Sequence, residues 1–184
     1  MSEMNENKIN QQQNMVKILQ IVVGDNNLTH HQMNDIINGK NINRKDGNTN
    51  VALNTSVEVS TLSEENNLEE TAIIKGIYAV TLKIVINVHV EYSGDNPQTA
   101  KLFDLIIDYH GKFELLNFDV NKKSEALEIY APNVLFPYIR AFIHRITVEA
   151  GFPALMLDHI DFATKYLMKK QQEDAANTSV SGNN

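Results

Sequence analysis

Hydrophobic and polar residues alternate along residues 77–91 of the chain. Every second position from Tyr78 to Val90 is apolar, whereas the positions between them include Lys83, Asn87 and His89. Alternation with period two is typical of a β-strand that buries one face and exposes the other. The pattern therefore predicts a long, half-buried strand over residues 77–91.

Further strand patterns lie on both sides of this segment. After the turn-forming residues 93–97, residues 101–109 alternate again, and the two segments together predict an antiparallel hairpin. We expect residues 113–118 to extend the second strand of the hairpin beyond a bulge at Gly111. Upstream, shorter apolar patterns at residues 51–59 and 15–23 complete a predicted sheet of four antiparallel strands.

The pattern changes to a helical period after Pro132. We predict a helix over residues 133–150, with Asn133 as its N-cap, Pro137 in or near its first turn and Gly151 just beyond its C-terminus. The main apolar stripe of this helix consists of Leu135, Tyr138, Ile139, Phe142, Ile146 and Ala150.

The predicted helix is apolar on more than one side, because Val134, Ile143 and Val148 fall outside its main stripe. One sheet can cover only one side of a helix. We therefore interpret the second apolar side as a contact with another copy of the chain.

A second, short helix is predicted from Asp161, as its N-terminal cap, to about residue 171. Strands followed by helices indicate an α+β fold. Residues 1–14 and 171–184 are polar and are expected to be disordered tails around one domain at residues 15–170. Within that domain we expect an Asn-rich loop at residues 24–50.

Composition limits the classes of function. The 184-residue chain has 16 Lys+Arg against 23 Asp+Glu, a formal net charge of −7, which argues against nucleic acid as a partner and favours basic partners. It has no cysteine, which excludes disulfides and thiolate chemistry. The polar, acidic N-terminus lacks the features of a secretory signal, and residues 73–90 contain Lys75 and Lys83. We therefore expect a cytoplasmic protein without membrane insertion.

Catalytic motifs are largely absent from the sequence. The glycines form neither a dinucleotide fingerprint nor a phosphate loop. Asp158, His159 and Asp161 could form a metal, acid/base or small-ligand site, but the same residues are also typical of a capped helix start. We assign no catalytic residue, no metal and no cofactor.

An apolar segment separates the two predicted helices. It contains Phe152, Leu155, Met156 and Leu157, although loops are usually polar. Two interpretations remain open: the segment packs onto the core, or it forms the wall of a groove that accepts extended apolar chains.

Three consecutive motifs occupy this region: residues 130–140 (Tyr-Ala-Pro-Asn-Val-Leu-Phe-Pro-Tyr-Ile-Arg), residues 151–157 (Gly-Phe-Pro-Ala-Leu-Met-Leu) and residues 160–162 (Ile-Asp-Phe), with Tyr166 following. Together they resemble the SecB family of export chaperones. The resemblance is dense over residues 129–170 and weaker over residues 77–118. Residues 62–66 resemble the family's turn between its second and third strands, and residues 67–76 look like an insertion.

This resemblance implies an α+β fold in which a four-stranded antiparallel sheet is followed by a long helix, an apolar loop and a short C-terminal helix. It also implies a homotetramer, built as a dimer of dimers through the long helices, that holds unfolded precursor proteins without a cofactor. The implied oligomer contacts are Tyr138, Phe142, Ile143 and Ile146. The implied groove residues are Val51, Leu53, Phe152, Leu155, Leu157, Phe162 and Tyr166.

The family delivers its clients to the SecA motor, whose basic, zinc-bearing tail binds an acidic sheet face. The resemblance places Asp25 and Ile106 at such positions, and Asp104 and Asp108 flank Ile106 on the same face of their strand. The chain departs from the family pattern at Thr29, Ile106, Ala141 and His159, and in the Asn-rich residues 26–50. The alternative is a SecB-like adaptor for one dedicated partner, such as a toxin–antitoxin pair.

Overall fold

The computed structural model describes residues 15–30, 47–66, 72–92 and 98–180. Four antiparallel strands form one sheet in the order β1-β4-β3-β2, and two helices follow them in the chain. The predicted α+β class and element order are thereby confirmed. The elements are β1 (Met15–His30), β2 (Gly47–Asn66), β3 (Ile73–Tyr92), β4 (Gln98–Asp119), α1 (Ala131–Glu149) and α2 (Phe162–Val180).

The central strands β3 and β4 provide most of the core. Opposite residues of an antiparallel pair point to the same face of the sheet, and Ile84 lies opposite Ile107 while Ile86 lies opposite Leu105. All four side chains are fully buried. The parity predicted for the hairpin is therefore the observed one, and the helices cover this face.

The outer strands are longer than predicted, so the limits given for the Asn-rich loop were wrong. Residues 24–30 continue β1, where Leu28 pairs with Leu105, and residues 47–50 already belong to β2. Backbone pairing to a neighbouring strand holds these polar residues without an apolar side-chain pattern. Residues 31–46 lie outside the described residues, as do the predicted turn at 93–97 and the N-terminal tail at 1–14.

The region between β2 and β3 also differs from the prediction. Residues 62–66 form the end of β2, where Glu64 pairs with Gly76, so this segment is a strand and not a turn. Residues 73–76 of the predicted insertion form the start of β3. Residues 67–71 lie outside the described part of the chain.

The predicted bulge at Gly111 was wrong, because β4 pairs without a register shift there. Gly111 lies opposite Val80 and Ile21, and a Cβ atom at this position would overlap Phe113 Cε2 and would lie 3.0 Å from Leu135 Cδ2. Glycine here leaves room for the Phe113 ring and for Leu135 of α1. One of the two register shifts between β3 and β4 in the described residues lies near Asn117, whose φ is +49°.

The start of α1 also differs from the prediction. Helical turns over residues 120–130, here called the lead-in turns, run directly into α1, which begins at Ala131. Asn133 is therefore inside the helix and not its N-cap; its side-chain amide donates to the Ile129 carbonyl at 2.9 Å. Pro132 occupies the first turn, and Pro137 lies in the helix interior.

The end of α1 is the predicted glycine cap. Gly151 has a φ of +81°, a conformation that favours glycine. Its N–H donates to the Val148 carbonyl at 3.0 Å, and the N–H of Phe152 donates to the Thr147 carbonyl at 2.9 Å. These two bonds form a Schellman motif, which terminates the helix and turns the chain back.

The buried stripe of α1 runs through Leu135, Ile139, Ile143 and Thr147 at spacings of four residues. Ile143 was predicted to lie outside the buried stripe and Tyr138 inside it; both predictions were wrong. Tyr138 is 53% exposed. Because α1 is apolar on more than one side, its sequence pattern alone does not show which side faces the sheet.

The second helix begins where Asp161 predicts it and continues nine residues past the predicted end, to Val180. The extension is exposed through Ala176 and contains Gln, Glu and Ala, which favour helices without tertiary contacts. No helix in the described ranges is long and apolar enough to span a membrane.

Candidate functional site

The loop after α1 packs against the core at both of its ends. The ring of Phe152 packs against that of Phe103 with centroids 4.4 Å apart, and Phe152 is only 8% exposed. Farther on, the rings of Phe162 and His159 lie 6.0 and 6.3 Å from that of Phe136. The loop therefore packs onto the core, which was one of the two interpretations left open by the sequence.

Asp161 fixes the direction in which α2 leaves this loop. Its Oδ1 accepts the backbone N–H of Thr164 at 3.0 Å, and its Oδ2 accepts the Thr164 hydroxyl at 2.7 Å. These bonds lower the pKa of Asp161, because they favour its charged form. The predicted N-cap is present, and the helix starts with its side chains directed towards β2.

A cleft of about 430 Å³ separates α2 from the edge strand β2. One wall is the middle of β2, the other is α2, and the lead-in turns close one side. The residues that line the cleft are Thr55, Ser56, Val57, Glu128, Phe162, Lys165, Tyr166, Met168, Lys169 and Gln172.

An ion pair joins two walls of the cleft. The Nζ atom of Lys169 on α2 donates to Oε2 of Glu128 in the lead-in turns at 2.6 Å. The bond raises the pKa of Lys169, because the carboxylate favours the charged ammonium. This pair links the two elements across 41 residues of sequence.

Exposed apolar side chains of β2 lie next to the cleft. Val51 is 43% exposed and Leu53 is 37% exposed. They pair with the buried residues Val88 and Ile86, so they lie on the face of the sheet that carries the helices. Val57 continues the same parity into the cleft.

The structure brings together only part of the predicted groove. Phe162 and Tyr166 line the cleft, and Val51 and Leu53 lie beside it. Leu155 is half-buried, and Phe152 and Leu157 are buried, as Phe162 and Tyr166 are; these three loop residues do not line the cleft.

Several residues that line the cleft were not predicted from the sequence. Val57 has the parity of Val51 and Leu53 and could have been found by alternation. Nothing in the sequence pattern pairs Glu128 with Lys169, because only the fold brings them together.

The residues predicted for an acidic contact lie on β1 and β4. Asp25 and Ile106 are exposed, but Asp104 forms an ion pair with Lys101 at 2.5 Å and accepts the Asn87 amide at 2.6 Å. Asp108 is half-buried, opposite Lys83 on β3. The face therefore carries charges of both signs.

The predicted oligomer contacts on α1 divide into three groups. Tyr138 is exposed, Phe142 and Ile146 are half-buried, and Ile143 is fully buried within its own chain. Ile143 therefore cannot contribute to an interface, which corrects its predicted role. Tyr130 and Val148 are additional exposed apolar residues on this segment.

Asp158, His159 and Asp161 do not form a metal site. In the described part of the chain no three His, Asp or Glu side chains come together as possible ligands. Asp161 is occupied as the cap of α2, and the His159 ring packs edge-on against Phe136. This cluster is the start of a helix.

The sequence is similar to those of known proteins. A sequence model of the family described as preprotein translocase subunit SecB matches residues 10–173. The protein-export protein SecB of Rickettsia akari (strain Hartford) is 30% identical over 122 residues, which cover 66% of this chain and 69% of that protein. The SecB of Ehrlichia canis (strain Jake) is 33% identical over 138 residues, covering 67% and 74% of the two chains.

Among solved structures, a SecB-like chaperone of Mycobacterium tuberculosis in complex with an antitoxin peptide matches with a TM-score of 0.44 and 11% identity. The match covers 79% of this chain and 90% of that chain.

Proposed function

The chain belongs to the SecB family of protein-export chaperones, a family of non-enzymes, and we propose that it holds unfolded precursor proteins in the cleft between β2 and α2. The observation that carries this proposal is the row of apolar residues Val51, Leu53 and Val57, which share one face of the edge strand β2 and lead to the cleft. An unfolded client exposes the large apolar side chains that a folded protein keeps mostly buried.

The energetics of such holding follow from apolar burial. Each client side chain of the size of Val, Leu or Phe that moves from water into the site stabilises the complex by about 1.5–3 kcal/mol. Several together compete with the roughly 5–15 kcal/mol that stabilises a typical fold. Holding therefore requires neither nucleotide nor covalent chemistry.

Delivery to the SecA motor is the second part of the proposal. The exposed Asp25 and the strand around Ile106 would receive the motor's basic, zinc-bearing tail, with Asp104 and Asp108 supplying further charge. Because Asp104 is already paired with Lys101, we expect this contact to be weak and to decrease as salt increases.

Assembly is the third part. We propose a homotetramer in the cytoplasm, built through the exposed side of α1, with Tyr138, Val148 and the half-buried Phe142 and Ile146 as contacts. Light scattering of the purified protein measures its mass; a monomer at micromolar concentration would contradict this part alone.

The holding activity is tested by refolding. A chemically denatured, slow-folding precursor is diluted into a molar excess of the protein without nucleotide, and recovery of its native fluorescence is followed. We expect slower refolding, and we expect Leu53→Glu to weaken this effect. Leu62→Glu, at an exposed position near the far end of β2, is the matched control. Unchanged refolding with the wild-type protein would contradict the proposed holding activity.

Motor binding is tested separately with the isolated tail of SecA at two salt concentrations. Binding that weakens with salt supports delivery. No binding, together with recovery of one stoichiometric partner from cells, would support the adaptor alternative and contradict delivery.

A further inference from the structure

Two hydroxyl groups on opposite walls of the cleft have no hydrogen-bond partner within the described residues. They are Oγ1 of Thr55 on β2 and the phenolic OH of Tyr166 on α2, and both atoms are buried. The whole Tyr166 residue is 6% exposed. Most buried polar groups in folded proteins are hydrogen-bonded, because an unmet donor or acceptor costs free energy.

One cation lies near the Tyr166 side chain. The Nζ atom of Lys170 stands over the Tyr166 ring, 4.8 Å from its centroid. Hydrogen bonding to the Tyr166 hydroxyl, and then its charge, raise the pKa of Lys170. The contact falls short of normal hydrogen-bond geometry, and it leaves the hydroxyl its own proton to donate. Glu128 and Lys169, which line the same cleft, are paired with each other.

The position of the two hydroxyls indicates what they could bind. They project from elements that a chain entering the cleft would separate, and a hydroxyl can both donate and accept. The surrounding surface includes the apolar side chains of Val57, Phe162 and Met168. An occupant of this cleft therefore needs hydrogen-bonding groups next to apolar ones.

We propose that Thr55 and Tyr166 hydrogen-bond the main chain of a client segment that enters between β2 and α2, while its apolar side chains pack on Val57 and Phe162. Every residue of a polypeptide presents a carbonyl, and almost every residue an N–H, whatever its side chain. Such bonds hold unfolded chains without regard to sequence. This inference rests on the proposed function, because it specifies how the same cleft holds its clients.

The test uses a labelled 15-residue peptide of Val, Leu, Phe and Thr with terminal lysines, and its dissociation constant is measured by fluorescence anisotropy. We expect Tyr166→Phe and Thr55→Val each to weaken binding about three- to tenfold. Their thermal midpoints should stay the same or rise, because each substitution removes an unpaired buried hydroxyl. Tyr130→Phe, at an exposed position in the lead-in turns, is the matched control and should bind as the wild type does.

A second peptide identifies the main chain as the bonded group. Esters replace alternate peptide bonds, which removes the N–H donors and weakens the carbonyl acceptors. We expect it to bind wild type more weakly than the first peptide and to lose less on Tyr166→Phe, since coupled groups are not additive.

Three outcomes would overturn the inference. Unchanged affinity in both variants would mean that the hydroxyls do not meet the client. A lower thermal midpoint in both would mean that the hydroxyls have partners inside the fold. If the wild type neither binds the peptide nor slows refolding, the proposed function fails as well. If the wild type does both and the two substitutions leave the peptide affinity unchanged, only the inference fails and the proposed function stands.

Discussion

The hydroxyl oxygen of Thr147 accepts a hydrogen bond from the backbone N–H of Leu155 at 3.1 Å. Thr147 lies in the last turn of α1, Leu155 lies in the following loop, and the same hydroxyl donates to the Ile143 carbonyl at 2.9 Å. Thr147 is fully buried and polar. One side chain thereby ties the loop to the helix after the Schellman turn and directs the chain towards α2.

Thr147→Val should therefore destabilise the protein by about 1–3 kcal/mol, because it leaves the N–H of Leu155 without its acceptor. Thr147→Ser keeps the hydroxyl and is the matched control for loss of the bond. Urea denaturation at neutral pH measures both. Equal stabilities of the two variants would contradict a role for the hydrogen bond.

The burial of Phe152 gives a second prediction. Its ring packs on Phe103 in the core, whereas Met156, four residues away in the same loop, is exposed. We expect Phe152→Ala to reduce the free energy of unfolding by about 3–5 kcal/mol and Met156→Ala by no more than about 0.5 kcal/mol. Similar losses in urea titrations of the two variants would show that Phe152 is not a core residue.

The sheet could be predicted from sequence because its side chains alternate strictly. Ile84 and Ile86 are buried and Lys83 is not, which is what period two requires. The C-terminal end of α1 and the start of α2 could be predicted because their chemistry is local: Gly151 adopts a positive φ, and Asp161 accepts the backbone N–H three residues away.

The cleft could not be predicted to the same extent, because burial in it depends on how separate elements meet. Phe152 and Leu53 are both apolar residues in suitable segments, yet one is buried and the other is exposed. The difference arises because the loop packs onto β4, whereas Leu53 belongs to an edge strand. The family resemblance predicted which segments form the groove, but the packing of these segments determines which of their side chains are accessible.

Tyr78 gives a prediction at alkaline pH. Its side chain is fully buried and donates to Glu64 Oε2 at 2.6 Å, while Lys123 pairs with the same carboxylate. Burial, and then the Glu64 hydrogen bond and charge, raise the pKa of Tyr78 well above its ordinary value of 10.0.

The pH dependence of stability at Tyr78 follows from the difference in proton binding between the folded and unfolded states. The native state holds the Tyr78 proton more tightly than the unfolded state, so its contribution to stability is complete below about pH 10 and is lost as pH rises further. Urea titrations from pH 8 to 11 should show a decline that is shallower in Tyr78→Phe. The exposed Tyr130→Phe is the control; a decline of equal slope in wild type and Tyr78→Phe would contradict the assignment.

The Glu128–Lys169 ion pair is expected to slow the association of clients with the cleft. It joins the lead-in turns to α2 beside the cleft, and a chain that separates α2 from β2 has to break it. Because the two side chains are 22% and 52% exposed, the pair contributes only about 0–1 kcal/mol. Lys169→Met should therefore accelerate association of the labelled peptide by up to about fivefold.

Salt distinguishes this effect from a change in apolar surface. Stopped-flow fluorescence gives the ratio of the association rate with Lys169→Met to that with the wild type. This ratio should fall towards one as the ionic strength rises from about 0.05 to 0.5 M, since salt screens the pair, whereas screening of the attraction between the basic peptide and the acidic protein affects both proteins alike. Glu149→Gln removes the exposed Arg145–Glu149 pair at 3.7 Å on α1 and should behave as the wild type. Association with Lys169→Met that is no faster than with the wild type, or a ratio that does not change with salt, would mean that α2 does not have to leave Glu128 for a client to bind.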